Sequence, residues 1–118
     1  MEESRYRMIN KSYIQSLFLT CSQSGNISSA LQYAHQQGNK ITRTQLITIL
    51  SNTAFRENTV PGSTFDLVQQ IIKMERFLEQ ALKNEKKQGN NWKDASFKLH
   101  IEPGPEYKRL KNFFEKCL

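Results

Sequence analysis

Two cysteines and two histidines, Cys21, Cys117, His35 and His100, are the side chains best suited to nucleophilic or metal chemistry in this sequence. A nucleophilic thiol needs a base at hydrogen-bond distance and a third group to orient it. Cys21 with His35, or Cys117 with His100, could fill the first two roles. Any two cysteines and two histidines would offer the same pairs, so the pairing carries no signal. Zinc sites usually place their ligands in close pairs such as C-x-x-C or H-x-x-x-H, and here all four stand far apart. Neither a G-x-G-x-x-G turn nor a Walker loop occurs, so a nucleotide has no cradle. The expectation is therefore a protein that is not an enzyme and takes no cofactor and no metal. Both cysteines lie on apolar stripes of predicted helices, where a buried structural thiol is the plain reading. His35 sits late in a short helix, where a cation suits the dipole.

Basic residues are the next candidates. The net charge is +6, from 17 Lys and Arg against 11 Asp and Glu. From Lys83 onward there are nine bases and five acids, against eight and six before it, so the tail is the more basic part. Such a balance suits nucleic acid, an acidic protein or an anionic surface alike. Residues 27–53 read as helix, turn with Gly38, then helix, the outline of a helix-turn-helix. Its second helix would present some of Thr42, Arg43, Thr44, Gln45 and Thr48, and Arg and Gln can read base edges. Gln37, Asn39 and Thr44 are polar where that motif packs apolar residues. In the tail, Lys93, Lys98, Lys108, Arg109 and Lys111 interleave with Trp92, Phe97 and Tyr107, residue types that bind phosphates and stack on bases. Phe97 and Tyr107 fit core positions better. Nucleic acid, through residues 27–53 or the basic tail, is thus the alternative reading.

Protein binding is the preferred one. Trp92 is the only tryptophan and falls in a polar stretch, Asn90-Asn91-Trp92-Lys93, read as a loop. Tryptophan is enriched at interface hot spots. After it Phe97, Leu99 and Ile101 alternate with Ser96, Lys98 and His100, the period of extended chain. An unpaired strand edge recruits partners. The expected binding face joins Trp92, Lys93, Lys98 and His100 to the basic side of the last helix, Lys108, Arg109 and Lys111. Its partner would be another protein with an acidic surface.

The elements that must position these residues are helices. A first helix is expected from about Arg5 to Ser24, carrying Tyr13, Ile14, Leu17, Phe18 and Cys21 inward, with Gly25 at its end. Asn26 can cap a second, stopped by Gly38. Thr42 and Gln45 form a capping box for the third, with Ile41 and Leu46 as its staple. After a loop over 56–62, Ser63 can cap a long fourth helix to about Gln88. Two apolar sets share it: Leu67, Ile71, Met74, Leu78 and Ala81, and beside them Val68, Ile72, Phe77 and Leu82. Glu79 and Lys83 are an i,i+4 pair. Pro105 starts a last helix, with Tyr107, Leu110, Phe114 and Cys117 inward. Gln-Gly-Asn occurs at 37–39 and at 88–90, each time as a helix stop. The fold class is all-α: one compact bundle over 1–118, with about five helices, one of them long and central, and a short extended segment before the last.

The hydrophobic fraction is 37% and the charged fraction 24%, a composition that folds rather than staying disordered. No window approaches the ~20 apolar residues of a membrane span. No apolar stretch follows Met1-Glu2-Glu3-Ser4-Arg5, so no secretory signal is expected. A chain of this size needs no disulfide, and the cytoplasm is the expected compartment. In length, helical layout and Asn-, Gln- and Lys-rich texture, the chain resembles small regulator proteins of intracellular bacterial pathogens. Among them are small helical inhibitors that block ubiquitin-modifying effector enzymes of the deamidase or transglutaminase type. No single motif carries the resemblance, so it transfers no functional residue. It implies a non-enzymatic inhibitor that covers an enzyme's substrate-binding or catalytic face, its basic surface against an acidic patch, in the host cytosol if translocated.

Overall fold

The computed structural model describes residues 10–118, and its regular elements are helices. In chain order they are α1 (Lys11–Ser24), α2 (Ile27–Gln36), α3 (Arg43–Leu50), a 3-10 turn (Thr53–Phe55), α4 (Gly62–Lys87), α5 (Trp92–Lys98) and α6 (Tyr107–Asn112). A wider π-type turn over Phe113–Cys117 follows α6. Among the described residues no strand forms, only a single bridge between Arg56 and Val60. The all-α class holds, with six α-helices among the described residues where about five were expected.

The starts of the helices follow from capping chemistry. The first backbone N–H groups of a helix have no partner within it, and a side-chain oxygen just ahead can accept from them. Asn10, Asn26, Thr42 and Asn91 do this for Tyr13, Ser29, Gln45 and Asp94. At Thr42 the capping box is complete, because Gln45 Oε1 also accepts from the Thr42 amide at 2.8 Å. The expected start of α1 at Arg5 falls outside the described residues; the helix that is described begins at Lys11. α4 begins at Gly62 rather than after Ser63.

Three helices end in the same way. After α2, the Gly38 amide donates to the His35 carbonyl and the Asn39 amide to Ala34. After α4, Gly89 donates to Lys86 and Asn90 to Glu85. After α5, His100 donates to Phe97 and Ile101 to Ser96. Each is a Schellman-type turn that needs one left-handed residue. Gly38 and Gly89 take it at φ 83°, whereas His100 takes it at φ 56° without being glycine. The two Gln-Gly-Asn copies are therefore one device used twice, and in both the asparagine turns inward. Asn39 is buried and donates to the Tyr13 hydroxyl at 3.2 Å, while Asn90 donates to Glu85 Oε1 at 2.7 Å. Burial raises the Tyr13 pKa, an effect that the Asn39 hydrogen bond works against.

The chain divides into two compact units, one up to Ile72 and one over Lys73–Leu118, with the boundary inside α4. The first packs Ile14, Leu17, Phe18 and Cys21 of α1 against Ile27, Ala30 and Ala34 of α2, Leu46 and Leu50 of α3, and Phe65, Val68 and Ile72. The second encloses Leu82, Trp92, Ala95, Leu110 and Phe114, with Leu78, Leu99, Ile101, Tyr107 and Phe113 around them. Fully burying one such large side chain contributes about 1.5–3 kcal/mol. α4 buries Val68, Ile72 and Leu82 of the second expected set, while Ile71, Leu78 and Ala81 of the first are half-buried and Phe77 is exposed. Phe65 and Glu75 are buried as well, while Leu67 and Met74 are exposed.

Two further expectations are corrected. Residues 96–101 are not extended: α5 runs from Trp92 to Lys98 and ends in the turn at His100. The buried residues Trp92, Ala95 and Ser96, with half-buried Leu99, recur at i, i+3, i+4 and i+7, which is one helical face. Asn91 caps that face, and Asp94 stands in its first turn where the dipole favours it. The alternation of Phe97, Leu99 and Ile101 arises because Phe97 points out of the helix while the other two lie past its end. Cys117, expected inward, is exposed, whereas Cys21 is fully buried.

Candidate protein-binding groove

Trp92 opens α5 and is only 6% exposed. Its ring meets Tyr107 edge-on at 5.4 Å and Phe114 at 5.8 Å, and its indole N–H donates to the Tyr107 hydroxyl at 3.1 Å. Trp92 is therefore an internal clamp between α5 and α6 rather than a solvent-facing anchor. Trp92 falls on the buried face of α5 with Ala95 and Ser96, and its one donor, once out of water, finds a partner in the Tyr107 hydroxyl.

Phe97 has the opposite fate. Five residues on from Trp92, it lies off the buried face and is 84% exposed. Beside it lies an open groove of about 480 Å³, lined by Lys93, Asp94, Ser96, Phe97, Ile101, Pro103 and Tyr107. Its lining is mostly apolar, with Lys93 and Asp94 as the charged members. The turn at His100 builds the far wall, since it reverses the chain and brings Ile101 and Pro103 back beside α5. Sequence reading missed Phe97, taking it for a core residue. The signal was present in the spacing of Trp92, Ala95, Ser96 and Leu99 and in the Asn91–Asp94 cap.

The remaining candidates divide. Lys93 lines the groove. His100 and Lys108, chain neighbours of the lining residues Ile101 and Tyr107, are exposed, as is Lys111. Lys98 is largely exposed but pairs with Glu85 at 3.1 Å. The Asn90 amide and then the Lys98 ammonium hold the Glu85 carboxyl below its usual range. Arg109 is internal. Its guanidinium reaches Glu106 at 2.6 Å, Glu79 at 3.0 Å and Glu75 at 3.6 Å. Burial works against its charge, but the surrounding carboxylates outweigh that and raise its pKa. Glu79 thus turns to Arg109, thirty residues away, rather than to Lys83. Lys86 lies over the Phe114 ring, 4.6 Å from its centre, and donates to the Phe114 carbonyl at 3.2 Å. These contacts brace the floor beneath α6 and hold Tyr107 in the groove wall.

The helix-turn-helix segment departs from the outline that suggested it. Six residues separate α2 from α3, a longer link than the three or four of that motif. Two of the base-reading candidates already have partners within the fold: Arg43 Nη1 donates to Ser28 Oγ at 3.2 Å, and exposed Gln45 completes the capping box, while Thr42, Thr44 and Thr48 are exposed. His35 Nε2 lies 3.0 Å from the Ile41 carbonyl and ties the link down. Among the described residues, no three His, Cys, Asp or Glu side chains converge as metal ligands, and no helix is long and apolar enough to cross a membrane. Comparisons with protein families, with curated proteins and with solved structures give no match.

Proposed function

We propose that this chain is a non-enzymatic protein-binding regulator, an inhibitor or adaptor, that seats a segment of a partner protein in the groove beside Phe97. The observation that carries this reading is the 84% exposure of Phe97 next to that groove. A large aromatic held out in water over an apolar groove is an unfilled half of an interface. Lys93, Lys108 and Lys111 favour a partner with an acidic surface, with the charges acting mainly on encounter rate. On the resemblance in length and layout, the partner is an enzyme, a ubiquitin-modifying bacterial effector among the candidates, and the groove side covers its working face. The cytoplasm suits the thiols of Cys21 and Cys117, neither of which is in a disulfide. Nucleic-acid binding is the weaker reading, because Arg43, Gln45 and Arg109 are all engaged within the fold.

The test begins with a pull-down from native lysate and mass spectrometry, followed by calorimetry with the recovered partner. Phe97→Ala should weaken binding about 30-fold or more, the size of a hot spot. Lys93→Glu or Lys108→Glu should slow association and reduce its salt dependence. Unchanged affinity in a folded Phe97→Ala variant defeats the proposal. So does binding only to nucleic acid, with log K falling linearly in log salt.

A further inference from the structure

The second half of α4 is patterned inside out. Glu75 and Glu85 are buried and Glu79 is half-buried, while Met74 is 59% and Phe77 66% exposed. A helix on a protein surface normally does the reverse, and buried polar groups together with exposed apolar ones are the informative departures. The inward acids are accounted for: Glu75 and Glu79 face Arg109, and Glu85 takes Asn90 and Lys98. The outward pair is not explained by anything in the unit's own core. Met74 and Phe77 stand three residues apart and half-buried Ala81 four further on, so the exposed pair heads one ridge about two turns long, bordered by half-buried Leu78 at the edge of the core. Turning the glutamates inward also changes the charge of what remains. The exposed charged residues of α4 from Lys73 onward are Lys73, Arg76, Lys83, Lys86 and Lys87, all of them bases.

We infer that this ridge is a second docking surface, distinct from the Phe97 groove, and that its occupant is an amphipathic helix of a partner protein with acidic residues beside its apolar stripe. A short ridge of Met and Phe suits ridge-into-groove packing at 8–10 Å between axes. Methionine adapts to irregular helix surfaces. Complementarity sets the sign: an acidic helix is attracted by the bases of α4, whereas a second copy of this chain would oppose base to base. An anionic membrane is disfavoured because an interfacial helix sinks a broad apolar face ~5–10 Å deep, and much of α4 is taken up by its own core.

The experiment uses a panel of synthetic helical peptides, each displaying Leu, Met or Phe at i, i+3, i+4 and i+7. Each is made in two forms, with Glu or with Lys beside the stripe. Fluorescence anisotropy is read with the full chain, with Phe77→Ser and with Phe97→Ala. Both substitutions are at exposed positions, and circular dichroism verifies that the variants fold. Glu-flanked peptides should bind, lose about tenfold or more in affinity with Phe77→Ser, weaken with salt, and be indifferent to Phe97→Ala. Lys-flanked peptides should not bind. The inference is overturned if no Glu-flanked peptide binds, if both forms bind equally, or if Phe77→Ser has no effect. It is also overturned if Phe77→Ser instead abolishes a dimer seen by light scattering or adsorption to phosphatidylserine vesicles.

Discussion

Replacing His100 with glycine should make the protein more stable. His100 occupies the left-handed position of the turn after α5 at φ 56°, the position that Gly38 and Gly89 hold after α2 and α4. For a residue with a Cβ this conformation costs roughly 1–2 kcal/mol. Glycine relieves that strain but returns about 0.4–1 kcal/mol through a more flexible unfolded chain. Histidine is also among the residues that tolerate the left-handed region best, which places the strain at the lower end. The net expectation for His100→Gly is a small gain, at most about 0.6 kcal/mol. Gly89→Ala supplies the reverse measurement. A Cβ there meets nothing within 4 Å, so its effect reports backbone strain and not a clash. It should destabilise by about 1 kcal/mol. Urea denaturation reads both, as a shifted midpoint with unchanged slope. Stability that falls in His100→Gly would refute the reasoning, and would mean that the imidazole makes contacts outweighing the strain. If the variant is more stable but binds the groove partner less well, the strained residue is kept for its side chain, as strained residues at binding sites are.

Two further outcomes follow from the same geometry. Trp92→Ala should cost about 3–5 kcal/mol, because it empties a buried site beside Tyr107 and Phe114, whereas Phe97→Ala should stay within about 0.5 kcal/mol of wild type; equal effects in denaturation would contradict the assignment of one ring to the core and the other to solvent. Asp66, held by the Arg56 guanidinium at 3.0 Å, and Glu85, held by Asn90 and Lys98, both have folded pKa values below their ordinary ones. Their stabilisation is complete above the unfolded carboxylate pKa of about 4 and is lost as pH falls through the lower folded values; Asn90→Ala should therefore flatten the loss of stability below pH ~4, and an unchanged acid limb would show that Glu85 is not so held.

What was legible in the residues themselves was the local chemistry. Thr42 with Gln45, Asn26 at the head of α2, Gly25 at the end of α1 and both Gln-Gly-Asn stops act through bonds spanning a few residues, so their meaning does not depend on the rest of the chain. The all-helical class followed from these signals and from apolar spacing. Tertiary structure decided which face of each helix is inside. On α4, Leu67–Ile71–Met74–Leu78–Ala81 and Phe65–Val68–Ile72–Glu75–Glu79–Leu82 are both regular rows, and by hydrophobicity the first is the better core, yet only its Ile71, Leu78 and Ala81 are even half-buried. The second is the one turned inward, because Arg109, thirty residues beyond Glu79, neutralises the two glutamates there, and a buried carboxylate is tolerable only with such a partner. The same reason hid the groove. The Asn91 cap and the spacing of Trp92, Ala95, Ser96 and Leu99 mark the inward face of α5 locally, but the partner that accepts from the Trp92 indole, Tyr107, stands fifteen residues away, a pairing that no local pattern encodes.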